Sequence, residues 1–187
     1  AENNTDKKYW KEIIPNRENV LLEGLDVFKD YYVLSERENG LVRFRVFSMK
    51  DKSEHFVAFQ EEDYYAYTGS NPEYTSKLLR YSYTSLKTPT TVYDYDLVSR
   101  ESSMKKQYEV LGGYNADEYV TERIYATARD GVKVPVSLVY KKGFKKDGSQ
   151  PLLLYGYGSY GYSVESSFRS YRLSLLDRGF AYAIAHI

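Results

Sequence analysis

PLLLYGYGSYG, residues Pro151 to Gly161, decides the fold. Leu152 to Tyr155 make a continuous apolar run, the pattern of a strand covered on both faces, and the run ends in a glycine-rich turn. Beyond the turn, Phe168, Tyr171, Leu175 and Leu176 recur at i, i+3, i+7 and i+8, the spacing of one helix face. Ser166 or Ser167 stands where a helix cap is needed, and Gly179 where a helix ends in the left-handed conformation. AYAIAHI, residues 181–187, reads as a second buried strand. Strand, helix and strand form one right-handed crossover, the unit of an α/β sheet.

Upstream, the period is two. Val20 to Phe28, the YYVLSERE segment, LVRFRVFSM and Glu54 to Phe59 read as four strands, with Asn39-Gly40 as the hairpin turn between the second and third. Val42, Phe44 and Val46 share one face, and Arg43 and Arg45 the other. A second set follows: Asp63 to Ser70, the strand of Leu79, Tyr81 and Tyr83, the strand of Tyr93, Tyr95 and Leu97 with Asp94 and Asp96 turned to solvent, and Gln107 to Gly112. Two four-strand meanders at a spacing of 40 to 50 residues suggest propeller blades, with an antiparallel sandwich as the rival. Gly112-Gly113 reads as a linker. After it, Glu122 to Arg129 and Val132 to Tyr140 flank the hairpin turn Asp130-Gly131. Pro135 cannot donate to a ladder and suggests an edge strand. The expected organisation is a mixed fold: a β-rich propeller portion over residues 1–117 and the beginning of an α/β domain over 118–187. The opening AENNTDKKYW and the stop at Ile187 read as the ends of a fragment.

Charge narrows the function. The 187 residues carry 26 basic and 26 acidic side chains, which excludes the electrostatic footprint of a general nucleic-acid binder. The chain has no cysteine, so a disulfide framework and a thiolate metal site are both excluded. No apolar run reaches the length of a membrane span. A cytoplasmic setting with no membrane partner is the expectation. The 22 tyrosines suit half-buried pleated surfaces.

Gly156-Tyr157-Gly158-Ser159-Tyr160-Gly161 matches G-x-G-x-x-G after a strand. A dinucleotide site would need the helix to begin at the last glycine and an acidic residue at the end of the second strand. Here the helix begins later and the strand ends at His186-Ile187. A plain glycine turn is a further reading. A turn at the carboxyl end of a sheet strand is also where α/β enzymes hold ligands. Tyr157, between two glycines that let backbone crowd close, offers a neutral hydroxyl able to stabilise an oxyanion in acyl transfer.

YGYGSYG, with RLSLLDRGFAYAIAHI after it and ARDGVKVPVSLVY before it, resembles the prolyl oligopeptidase family of serine peptidases, in its branch that cleaves after Arg or Lys. WKEIIPNRENVLLEGLDVFKDYYVLSER and LRYSYTSLKTPTTVYDYD resemble the propeller of that family. The resemblance implies a seven-bladed propeller over an α/β-hydrolase domain, a cytoplasmic peptidase of short peptides, and no cofactor. It implies that Tyr157 completes the oxyanion hole and that Tyr160 lines the substrate pocket. Glu165 matches the first of two carboxylates that attract basic substrate side chains; Ser167 departs at the second. The family's nucleophile lies on a G-x-S-x-G elbow, followed by Asp and His. No such motif occurs in these 187 residues, so the chain alone is expected to be inactive.

His55 reads as structural, and His186 is not assigned as a base. No cluster has metal-ligand spacing. Lys141, Lys142, Lys145 and Lys146 read as a solvated loop. The alternative function is a non-catalytic β-rich module binding peptides or proteins. Open sheet edges predict self-association in either case.

Overall fold

A computed structural model of the chain describes residues 5–187; residues 1–4, the start of the AENNTDKKYW stretch, lie outside the described residues. Three four-stranded sheets account for most of the ordered backbone. The first runs in chain order through β1 (Val20–Val27), β2 (Tyr31–Glu38), β3 (Leu41–Ser48) and β4 (Glu54–Phe56). The second does the same through β5 (Tyr65–Thr68), β6 (Leu78–Thr84), β7 (Thr91–Asp96) and β8 (Ser102–Gln107). Each meander is complete, with no strand exchanged between the two sheets, as in propeller blades and unlike the Greek keys of sandwiches. Asn39 and Gly40 both take positive φ, 51° and 78°, and Glu38 pairs with Leu41, so the two-residue primed turn forms as its dipeptide predicts.

Alternation in β3 buries Val42, Phe44 and Val46 and leaves Arg43 and Arg45 half-buried. These apolar side chains meet Ala66, Leu79, Tyr81, Tyr83 and Tyr95 of the second sheet in one core. Each full burial of such a side chain is worth about 1.5–3 kcal/mol. Tyr81 packs edge-on to Phe44 and stacked on Tyr93, which shows what part of the tyrosine excess is for: ring area inside, hydroxyls at the rim.

Three expectations need correction in the blades. β4 stops at Phe56 rather than Phe59. The last strand of the second meander is Ser102–Gln107, not Gln107 to Gly112. Asp96 accepts from Val98 N (2.7 Å) and Ser99 N (3.0 Å), and Arg100 takes φ 65°; this tight Asx turn returns the chain at once and uses up the earlier residues as the strand. Asp94 is not solvated: it is buried and accepts from Arg80 Nε at 2.7 Å and Nη2 at 2.9 Å across β6 and β7.

The third sheet has the order β11 (Leu152–Gly156), β12 (Ala181–Ala185), β10 (Lys133–Lys141), β9 (Tyr119–Thr127). β9, β10 and β12 are antiparallel neighbours, whereas β11 and β12 run parallel. β10 is therefore an interior strand, and the edge reading of Pro135 is wrong. A residue's N–H and C=O point to the same side of its strand. The Pro135 carbonyl accepts from His186 N, just past the end of β12, so the missing N–H falls where the neighbouring strand has run out. β12 is buried as expected. Leu152 to Tyr155 are not covered: all four side chains are exposed on this edge strand.

The predicted helix is later and shorter. A 3-10 turn over Ser170–Arg172 leads into α1 (Leu173–Leu176), and neither Ser166 nor Ser167 caps it. Ser166 is instead buried and hydrogen-bonded to Ser137 and Asp63, which holds residues 163–169 out of the helix. Gly179 does end the helical segment at φ 84°. Leu176 packs on Val139 and Ile184 from the helical side of the sheet.

Candidate functional site

The site begins where β11 and β12 end together, with Gly156 beside Ala185. Tyr157 follows immediately, at the carboxyl end of the parallel pair. A Cβ built on Gly158 would lie 2.6 Å from Ile187 O and 2.8 Å from Ile187 C, closer than real side chains stand. Only glycine lets the turn pass so near the chain that leaves β12. Gly156 has no such crowding, its nearest contact being Ile187 Cδ1 at 3.6 Å. The crowding read from the sequence thus belongs to one of the two glycines.

Ser159 to Tyr162 form a tight turn, closed by Tyr162 N donating to Ser159 O at 3.1 Å. Tyr160 (φ 58°) and Gly161 (φ 67°) are both left-handed. Such a conformation costs a bulky residue about 1 kcal/mol or more, yet Tyr160 is fully exposed, at 99%, and gains no packing in return. Tyr157 is about half-exposed and meets Tyr162 edge-on, at 6.0 Å between ring centroids.

Tyr162, Glu165 and Ser167 line a cavity of about 730 Å³ between the second blade and the third sheet, with Tyr65 and Tyr67 opposite. Glu165 is not a free carboxylate. Its Oε1 accepts from Arg37 Nη2 at 2.7 Å, and its Oε2 from Arg37 Nη1 at 3.4 Å. Burial pushes the Glu165 carboxyl upward, against the pull of Arg37. Tyr157, Tyr160 and Glu165 thus belong to one segment around the turn, with Glu165 on the cavity wall and Tyr160 pointing into solvent. The three were legible from sequence as positions; the pairing of Glu165 was not.

A second polar cluster lies deeper. Asp63, on the connection between the blades, is fully buried. Its Oδ1 accepts from Arg123 Nη1 (2.8 Å), Ser137 Oγ (2.6 Å) and Ser166 Oγ (3.2 Å), while Oδ2 has no hydrogen-bond partner among the described residues. Burial raises the Asp63 carboxyl, and Ser137 and Arg123 oppose it. Ser137 Oγ also lies 2.6 Å from His186 Nε2, the separation of a nucleophile and its base. Chemistry is nonetheless closed to this pair. Ser137 is fully buried and its hydroxyl is shared among Asp63, Ser166 and His186, so no acyl group can reach it. Burial, with the positive charge of Arg123, lowers His186 to about 4, so the ring is neutral at pH 7. With the single Ser137 proton given to Asp63, the neutral His186 ring donates its Nε2–H to Ser137 Oγ, a structural role in keeping with its sequence reading.

This cluster joins the blades to the third sheet. Arg123 on β9 reaches Asp63 and also donates to Asn39 O at the tip of the β2–β3 turn. Phe168 N donates to Thr84 Oγ1 at 3.0 Å, and Thr121 Oγ1 to Glu61 Oε2 at 3.3 Å. Sequence reasoning missed Arg37, Asp63, Arg123 and Ser137. Arg37 and Glu165 are 128 positions apart, and no local pattern links them. The one available hint was Asp63, an acid at the start of a tyrosine-rich strand.

His55 is structural, its Nε2 2.8 Å from Tyr95 OH. Two of the four loop lysines are paired: Lys141 with Glu118 and Asp177, and Lys146 with Glu122. Among the described residues no group of three or more His, Asp or Glu is placed to hold a metal ion, and no helix is long and apolar enough to cross a membrane.

A family model described as the N-terminal β-propeller domain of prolyl oligopeptidase matches residues 1–108. The chain is 45% identical over 184 residues to dipeptidyl aminopeptidase BI of Pseudoxanthomonas mexicana, covering 98% of this chain and 25% of that protein. It is 33% identical to protease 2 of Moraxella lacunata, covering 94% of this chain and 25% of the relative. Among solved structures, oligopeptidase B from Trypanosoma brucei with covalently bound antipain superposes with a TM-score of 0.83 at 39% identity, over 92% of this chain and 26% of that one. The chain thus spans about a quarter of the length of the relatives it matches.

Proposed function

Because this chain belongs to the prolyl oligopeptidase family, we propose that it forms part of a serine oligopeptidase that cleaves short peptides after Arg or Lys by acyl transfer. The relatives are peptidases of that family, and the blades match its propeller. We divide the chain at residue 117, with residues 118–187 opening an α/β-hydrolase domain. The order β9, β10, β12, β11, antiparallel and then parallel, supports this reading.

The observation that carries the proposal is the approach of Gly158 to Ile187, which fixes the Tyr157 turn at the carboxyl end of the parallel pair. From there the Tyr157 hydroxyl donates to the oxyanion of the tetrahedral intermediate. Tyr160, held in a strained and exposed turn, lines the pocket when peptide is present, and Glu165 attracts the substrate's cation. The nucleophile, acid and base of the triad lie outside these residues, so the isolated 187-residue chain has no turnover. The test is Tyr157→Phe in the full-length protein: kcat on an Arg-containing peptide amide falls by about 10²–10³, the usual loss for one oxyanion donor, and KM holds. An unchanged kcat refutes the role.

The 45%-identical relative, a dipeptidyl aminopeptidase, favours a second reading in which Glu165 meets a free peptide N-terminus. Acetylation of the substrate separates the two readings, since it abolishes cleavage only in the second. We also propose that the isolated chain self-associates in the cytoplasm-like conditions of a neutral buffer. Leu21, Leu22, Leu25 and Val27 on β1, and Leu152 to Tyr155 on β11, are exposed on open sheet edges. Light scattering showing a single monomeric species at micromolar concentration refutes that.

A further inference from the structure

We propose that Arg37 sets the selectivity of the Glu165 site by occupying, as an internal guanidinium, the place that a substrate cation takes. The proposal rests on the reading of Glu165 as the cation-attracting residue.

Arg37 stands on β2 of the first blade and reaches across to the third sheet's loop. Its guanidinium is shared between two carboxylates. Nε donates to Glu23 Oε1 at 2.5 Å and Nη2 to Glu23 Oε2 at 3.4 Å, while Nη2 and Nη1 serve Glu165. Nη1 also donates to Gly40 O at 3.2 Å. The three side chains are largely shielded, at 14% for Arg37, 29% for Glu23 and 20% for Glu165. Two carboxylates and one guanidinium leave a net charge of −1 on the trio.

That arrangement has two consequences. The residual negative charge still draws a cation into the cavity that Glu165 lines. Both Glu165 oxygens, however, already accept from Arg37, so an incoming cation gains the two-oxygen grip on the carboxylate only when Arg37 lets go. Arg37 has somewhere to go, because Glu23 and Gly40 O hold it on the blade. The site is thus a displacement site, and its apparent affinity is reduced by the fraction of time Glu165 is free. A planar guanidinium replaces a two-oxygen partner better than a point-charge ammonium does. The device therefore favours Arg over Lys, and both over neutral side chains, by less than a lone Glu165 would. Arg37 is a specificity-determining residue here and touches no reacting atom.

The experiment uses the full-length protein and acetylated peptide amides that differ only in carrying Arg, Lys or the neutral isostere citrulline, with KM and kcat read separately. Arg37→Gln lowers KM for the Arg peptide about tenfold relative to citrulline, as expected if Glu165 is free about a tenth of the time in the parent, with kcat ratios constant. Arg37→Lys restores most of the parent ratio. Glu23→Gln moves the opposite way and raises KM for Arg and Lys peptides, because Arg37 then has Glu165 as its one carboxylate partner beside Gly40 O; this arm holds even where Arg37→Gln fails to fold. An Arg-to-citrulline KM ratio that is unchanged or rises in Arg37→Gln, or one that improves in Glu23→Gln, overturns the proposal. Glu165→Gln separates the two readings. If it leaves Arg-to-citrulline discrimination intact, Glu165 is not the cation site and the Arg37 proposal falls with it. If it abolishes discrimination while the Arg37 and Glu23 variants have no effect, only the Arg37 proposal fails.

Discussion

Replacing Asp63 with Asn tests whether the buried cluster holds the blades and the third sheet together. The change keeps the shape of the side chain and leaves Oδ1 to accept from Ser137, Ser166 and Arg123, whose distances are 2.6, 3.2 and 2.8 Å. What it removes is the charge. Arg123 has only 6% of its side chain exposed, so its guanidinium is left without a counter-charge, a change that costs about 3–5 kcal/mol where one member of a buried pair is deleted. Two features pull the cost down. Arg123 retains Asn39 O as a partner, and the desolvation that raises Asp63 is relieved in the amide. The expected net loss is about 2–3 kcal/mol, measured as the shift in urea midpoint at constant m-value. Arg123→Met alone strands the carboxylate and costs a similar amount, whereas the double variant removes both charges. The cycle should therefore show a coupling of about 2 kcal/mol, within the range for contacting groups. An Asp63→Asn protein within about 0.5 kcal/mol of the parent, together with zero coupling, would refute the argument that this pair is what joins the two parts.

Two further outcomes follow from the same geometry. Gly158→Ala forces a methyl group to within 2.6 Å of Ile187 O; the turn and the end of β12 must separate, at a cost of about 1–3 kcal/mol, and kcat of the full-length protein falls with it while Gly156→Ala is milder. For His186, whose pKa is lowered from 6.5 to about 4 by burial and Arg123, the native state resists a proton that the unfolded chain accepts. Its contribution is complete above pH 6.5 and is lost as pH falls toward 4, by about 2 kcal/mol once partial solvent access is allowed for. Asp63, shifted upward, works in the opposite direction through its own titration. The difference between parent and His186→Gln denaturation curves across pH 7 to 4 isolates the histidine; curves that stay parallel would contradict its buried, neutral state.

Sequence alone determined most of what is periodic or local in this protein. Val42, Phe44 and Val46 declare one face of β3 because side chains in a strand alternate with period two. Asn39-Gly40 declares its turn because few other residues adopt two successive positive φ values. The Tyr157 turn was readable as a crowded glycine turn after a strand, and its motif pointed to the family. Tertiary structure decided everything that depends on partners far along the chain. Asp94 left solvent because Arg80 lies across from it on β6, and Ser166 left the predicted helix because Asp63 and Ser137 take its hydroxyl. Pro135 is interior because β10 lies between β9 and β12, and it is tolerated there because β12 ends beside it; Leu152 to Tyr155, apolar enough for a buried strand, stand on an open edge. Glu165 exchanged the part of a free carboxylate for that of one held by Arg37. Hydrogen bonds and ion pairs act over a few ångströms with no regard for sequence distance, so which side chains they join is settled only when the sheets are packed together.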